Sequence, residues 1–131
     1  MKRLSPWFLV VPILAWQGVA HAHHSFAAFF DSAKTVTITG KVVEFRFTNP
    51  HGTIAVEGKT GDGRVGIWRA ETNAPVVLMR RGWTRQSVKP GDTVTLSGWP
   101  ARDGKPYFRL QRALDANGNL IGSAPFRVNE D

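Results

Sequence analysis

TVTITGKVVEFRFTNPHG, residues 35–52, is the stretch whose reading decides the fold. Val36, Ile38, Gly40 and Val42 share one parity, and Thr35, Thr37, Thr39 and Lys41 the other. Successive side chains of a strand point to opposite faces, so this alternation predicts a half-buried β-strand. Past Gly40 the apolar positions slip to Val42, Val43, Phe45 and Phe47. A glycine at such a slip predicts a bulge or sharp bend, which a small barrel needs. The run closes in turn formers, Asn49-Pro50-His51-Gly52.

Downstream, GTIAVEG (52–58) and RVGIWRA (64–70) flank the turn residues Thr60-Gly61-Asp62-Gly63 and predict a hairpin. Thr72 or Asn73 can cap a short helix, with Pro75 in its first turn and Gly82 as its stop. TVTLSGW (93–99) and YFRLQRAL (107–114) predict a second hairpin around Asp103-Gly104, with Phe108, Leu110 and Arg112 on one parity. From Leu120 the pattern lapses and fraying is expected. The order β-β-β-α-β-β predicts an all-β fold with one short helix, a five-stranded OB-fold-like Greek-key barrel. An open β-sandwich or a different small barrel is the alternative.

Upstream, Met1-Lys2-Arg3 precedes the apolar run WFLVVPILAW (7–16) and the Ala20-His21-Ala22 triplet. A basic start, a short apolar run and an A-x-A site are the parts of a secretory signal peptide. The run is also shorter than the roughly 20 residues a spanning helix needs. The organisation expected is therefore a signal peptide (1–22), an N-terminal arm (23–33), a barrel (34–119) and a C-terminal tail (120–131), with export to a bacterial periplasm. In the arm, Phe26, Phe29 and Phe30 are expected to dock on the barrel. The 17 Lys and Arg against 10 Asp and Glu give +7, falling to about +5 without Lys2 and Arg3. The absence of cysteine excludes disulfides, thiolate metal sites and thiol nucleophiles. Export disfavours nucleic acid and nucleotide cofactors as partners.

The motifs AHHSFAAFFD (22–31), GKVVEFRFTNPHG (40–52), the strand around Trp68, LMRRGWTRQSVKPGD (78–92) and GWPARDG (98–104) cover nearly all of the mature chain. In these the chain resembles a family of small exported bacterial proteins known only as a domain of unknown function. The resemblance implies export and a small β-barrel. It brings no activity, cofactor or catalytic residue.

Three residue sets are candidates for function. Cleavage after Ala22 would leave His23 with a free α-amine beside its imidazole. With His51, and His24 as a neighbour, these nitrogens could form a brace for copper, which favours amine and imidazole ligands. Cleavage after Ala20 would instead place His23 third, an amino-terminal copper pattern. The competing reading makes His23 and His24 exposed terminal residues and His51 a corner residue bonded to turn backbone. An extended chain from Thr35 to Asn49 covers roughly 50 Å, so the arm and corner meet only if the strand coils strongly.

Trp68, Trp83 and Trp99, with nearby arginines, could form an aromatic and basic binding face, as OB barrels use. The competing reading has them fill the core. Arg80 and Arg81, on the helix with Trp83 behind them, could touch an acidic partner or anionic lipid. Enzyme signals are poor. Ser25, His24 and Asp31 share one short arm, Glu44, Glu57 and Glu71 show no paired spacing, and no phosphate loop is present. The expectation is a non-enzymatic periplasmic binding or accessory protein, copper-binding in its sharpest form. The alternative is a metal-free protein–protein module of the cell envelope.

Overall fold

A computed structural model of the protein describes residues 25–130. The signal peptide, its cleavage site, His23 and His24 lie outside the described residues. The elements run α1 (Phe26–Phe29), β1 (Val36–Arg46), β2 (Thr53–Thr60), β3 (Val65–Glu71), α2 (Pro75–Arg80), β4 (Thr93–Pro100) and β5 (Tyr107–Leu114). The strands close into a barrel in the order β1-β2-β3-β5-β4, with α2 between β3 and β4. This is the five-stranded OB-type barrel that the strand pattern predicts. Among the described residues no helix is long and apolar enough to cross a membrane.

β1 organises the barrel because it pairs with two neighbours. Residues 36–41 pair with β4, and residues 38–46 with β2. One strand can serve both sheets only if it coils. The coil comes at two places. Gly40 lies opposite Gly58, where a β-carbon on Gly40 would stand 2.6 Å from the Gly58 Cα. The register then shifts between Val42 and Glu44. The bulge therefore falls after Val42, not at Gly40 as the parity slip suggests. Gly40 instead permits a close backbone approach, and Val43 is the extra residue turned outward.

The barrel interior holds Ile38, Ile54, Val56, Leu96, Phe108 and Leu110, all fully buried. Burial of such side chains contributes about 1.5–3 kcal/mol each. α2 buries Val77 and Leu78, and Leu78 joins the barrel core. Its N-cap is Ala74, with no side-chain capping bond, so neither Thr72 nor Asn73 caps it; both are buried, Thr72 bonded through its backbone to Gly52 of the corner and Asn73 through its side chain to the Glu130 carbonyl. Gly82 ends it in the left-handed region, φ +79, as expected of a C′ glycine.

Two segments depart from their local pattern. In β5, a shift opposite Ser97 and Gly98 turns Arg112 outward and sends Ala113 into the core. The tail does not fray. Ile121 N donates to Ala113 O, Phe126 N donates to Gln111 O, and the Phe126 ring is buried. Its backbone satisfies the edge of β5, and its one aromatic residue completes the core.

Candidate functional site

The barrel closes by a short parallel seam between β3 and β5, pairing Arg69 with Tyr107, Ala70 with Phe108 and Glu71 with Arg109. Ala70 and Phe108 face the core, so the flanking four polar residues share the outer side of the seam. Arg109 is nevertheless buried, at 7% exposure. Its Nη1 donates to Glu71 Oε1 at 2.8 Å and to His51 Nδ1 at 3.2 Å. The other Glu71 oxygen accepts from the Tyr107 hydroxyl. Burial first, then the hydrogen bond and charge of Glu71, push the Tyr107 phenol well above its usual pKa.

The arm reaches the same strand end. Phe30 stacks on Tyr107 at 5.8 Å, and Phe26 meets Trp99 edge-on at 5.2 Å. Arg102 fastens the arm from the β4–β5 turn: its backbone N–H donates to Phe29 O and its Nε to Ala27 O, 2.9 and 2.8 Å. Phe26 and Phe30 dock as expected, whereas Phe29, expected to dock with them, is half exposed. Between arm, seam and turn opens a cleft of about 760 Å³. Ala28, Phe29, Phe30, Ala101, Pro106 and the Tyr107 ring supply its apolar walls. Arg69, Arg102 and Lys105 stand around it with Glu71 and Asp103. Asp103 is held below the usual carboxylate range by the Lys105 backbone N–H, then by its ammonium at 3.1 Å.

A family model described as a family of unknown function, DUF6152, matches residues 12–108. The chain belongs to this family. No curated protein matches it. The DUF6152 match spans the arm, the 47–52 corner and the seam down to Phe108.

Of the expected metal ligands in this DUF6152 chain, only His51 is among the described residues. It sits on the corner after β1, but its ring bonds the Arg109 side chain and not turn backbone. An arginine only donates, so Nδ1 must accept and the neutral ring carries its proton on Nε2. Among the described residues, no group of three or more His, Cys, Asp or Glu could hold a metal ion.

The aromatic binding face is corrected. Trp68, Trp83 and Trp99 are buried at 3%, 1% and 6% exposure. Trp68 shares its parity with Ala70, Trp99 lies under Phe26, and Trp83 packs against Phe45 and Phe126. They fill and cap the core, and none offers a stacking platform. Arg80 is exposed on α2, whereas Arg81 is tied to Glu130 of the tail, with Nε to Oε1 at 2.9 Å. Neither lines the cleft. Arg69, Arg102 and Arg109, beside Tyr107, are among the arginines expected near the tryptophan face, but Glu71 and Lys105 were not predicted, nor was the cleft that Arg69, Glu71, Arg102, Lys105 and Tyr107 line. These residues come from two stretches, β3 and residues 102–109, that lie some thirty residues apart in sequence. The one available signal was positional: three fall on or beside the β4–β5 turn, a loop OB barrels use for ligands.

Proposed function

We propose that the protein is an exported, non-enzymatic binding module of the bacterial periplasm, with its ligand seat in the cleft between the arm and the β3–β5 seam. The observation that carries this reading is the cleft, large enough for a small organic molecule and bordered by apolar walls with a few charged groups. OB barrels bind through the β2–β3 face and the loops beside it, and this cleft uses β3 and the β4–β5 turn. Both Glu71 oxygens are engaged, by Arg109 and Tyr107, which suits a rigid seat better than a proton-transferring group. An NMR fragment screen tests it. Binders should move amide signals of Phe29, Arg69, Arg102 and Tyr107 together; shifts scattered elsewhere would refute the seat. Sequencing the exported protein should find His23 first.

Copper binding through His23, His24 and His51 remains a second reading, and one observation favours it. Phe30 of the arm meets Tyr107, and His51 of the corner meets Arg109 two residues on, so the strand coils enough to bring both regions to one strand end. A copper ion on His51 Nε2 would need the ring proton moved to Nδ1, against the Arg109 donor. Titration of the signal-cleaved protein with Cu(II) separates the readings. Tight one-to-one binding weakened tenfold or more by both His23→Ala and His51→Ala, about 1.4 kcal/mol each, supports a brace. Loss with His23→Ala alone leaves only an amino-terminal chelate.

A further inference from the structure

The cleft has a charge pattern that selects among ligands. Three cations stand around it, Arg69, Arg102 and Lys105, against two carboxylates, Glu71 and Asp103. Both carboxylates are already engaged. Glu71 is neutralised from behind by the buried Arg109 and takes the Tyr107 hydroxyl on its other oxygen. Asp103 accepts from the Lys105 backbone and faces its ammonium. The cations are less fully used. Arg102 gives one of its five donors, Nε, to the arm, and the residue is exposed, with a charge interaction to Asp31 that ranks last among those acting on that carboxylate. Arg69 reaches Glu44 only at 3.6 Å, and that carboxylate already takes Arg46 Nε at 2.8 Å. A guanidinium that shares a distant, occupied carboxylate in water gains little from it.

The rest of the cleft is hydrocarbon. Phe29 is half exposed, at 52%, and stands beside Phe30, Pro106 and the Tyr107 ring. Water on such a surface is displaced favourably by an apolar body. A purely apolar ligand would leave the surrounding guanidinium donors unanswered, and a small inorganic anion would leave the aromatic wall wet. Resting on the cleft being the ligand seat, we infer that it takes a small amphipathic organic anion. The acid group would face Arg69 and Arg102, and the apolar body would lie on Phe29, Phe30 and Tyr107. An arginine fork matches a carboxylate or sulfonate with two parallel donors, which fixes the ligand's direction in the cleft.

The test uses two fluorescent probes with nearly the same apolar body, the anion 8-anilinonaphthalene-1-sulfonate and the neutral N-phenyl-1-naphthylamine. Each is titrated into the signal-cleaved protein, Arg69→Gln and Phe29→Ala, with circular dichroism and melting curves to verify folding. Arg102 is left intact because it fastens the arm. The sulfonate should saturate at one site. Arg69→Gln should weaken it about tenfold and leave the neutral probe within about twofold, while Phe29→Ala should weaken both. Equal binding of both probes, lost in Phe29→Ala but indifferent to Arg69→Gln, would overturn the anion preference and keep the cleft as a seat. Failure of both probes to saturate in the folded protein would overturn the seat as well.

Discussion

Glu71 and Arg109 lie opposite each other in the parallel seam and form an ion pair at 2.8 Å, with side-chain exposures of 17% and 9%. The pair closes the barrel chemically where it closes geometrically. It also ties two distant segments to the seam: Arg109 reaches His51 on the corner and the Glu130 carbonyl on the tail, while Glu71 holds Tyr107 within the seam.

Removing one partner should therefore cost more than removing both. Arg109→Met strands the Glu71 carboxylate, and the loss should be about 3–5 kcal/mol in urea unfolding. The double substitution Glu71→Met with Arg109→Met removes both charges and should recover much of that loss. A double variant less stable than Arg109→Met alone would show that the pair stabilises outright.

Tyr107 is the only tyrosine in the chain, so phenolate absorbance reports on it alone. Its pKa is raised in the folded state by burial, then by Glu71. The unfolded chain therefore releases this proton first, at the ordinary value of about 10. Stability from this group is full below about pH 10 and falls as pH rises above it toward the folded pKa. The phenolate signal should appear only with unfolding, and Tyr107→Phe should flatten the alkaline slope. Phenolate forming near pH 10 in protein still folded by circular dichroism would contradict the burial of the hydroxyl.

The strands and their order were legible because their side-chain period is local. The alternation of β1 sets Val36 and Ile38 apart from the polar Thr35, Thr37 and Thr39, and both are buried. The Arg109 position could not be read in this way. Its parity is that of an outward residue, and it is buried only because the corner at His51 and the tail at Glu130 cover it, 58 and 21 residues away. The shift that exposes Arg112 is marked only on the partner strand, by Gly98 of β4, and nothing within β5 itself signals it. The cleft was illegible for the same reason, since the arm, β3 and the β4–β5 turn meet only in the folded barrel.

The Gly40–Gly58 crossing sets how closely β1 and β2 approach where β1 also serves β4. A β-carbon on Gly58 would stand 2.7 Å from the Gly40 Cα, and backbone cannot yield as a flexible side chain does. Gly40→Ala and Gly58→Ala should each destabilise the barrel by about 1–3 kcal/mol or more, as overpacking does. Gly61→Ala, where nothing lies within 4 Å, is the control and should stay within about 0.5 kcal/mol of wild type. Equal melting temperatures for all three would mean that the strands part more easily than this geometry allows.

The tail supplies the last wall of the core. Phe126 packs 6.1 Å from Trp83, which in turn meets Phe45 at 6.1 Å, so one aromatic chain runs from the tail to β1. Phe126→Ala should cost about 3–5 kcal/mol, the range for deleting a buried aromatic ring. Deleting residues 120–131 should cost at least as much, because it also frees Arg81 from Glu130 and uncovers Arg109. Among the described residues the buried Trp83 Nε1 has no hydrogen-bond partner, and the Phe126 ring and the tail at Gly122 both pack against this indole. In Phe126→Ala the emission of Trp83 should shift to longer wavelength at temperatures where the barrel's far-ultraviolet signal is intact. A tail that only lies on the surface would give neither the shift nor a loss beyond about 0.5 kcal/mol.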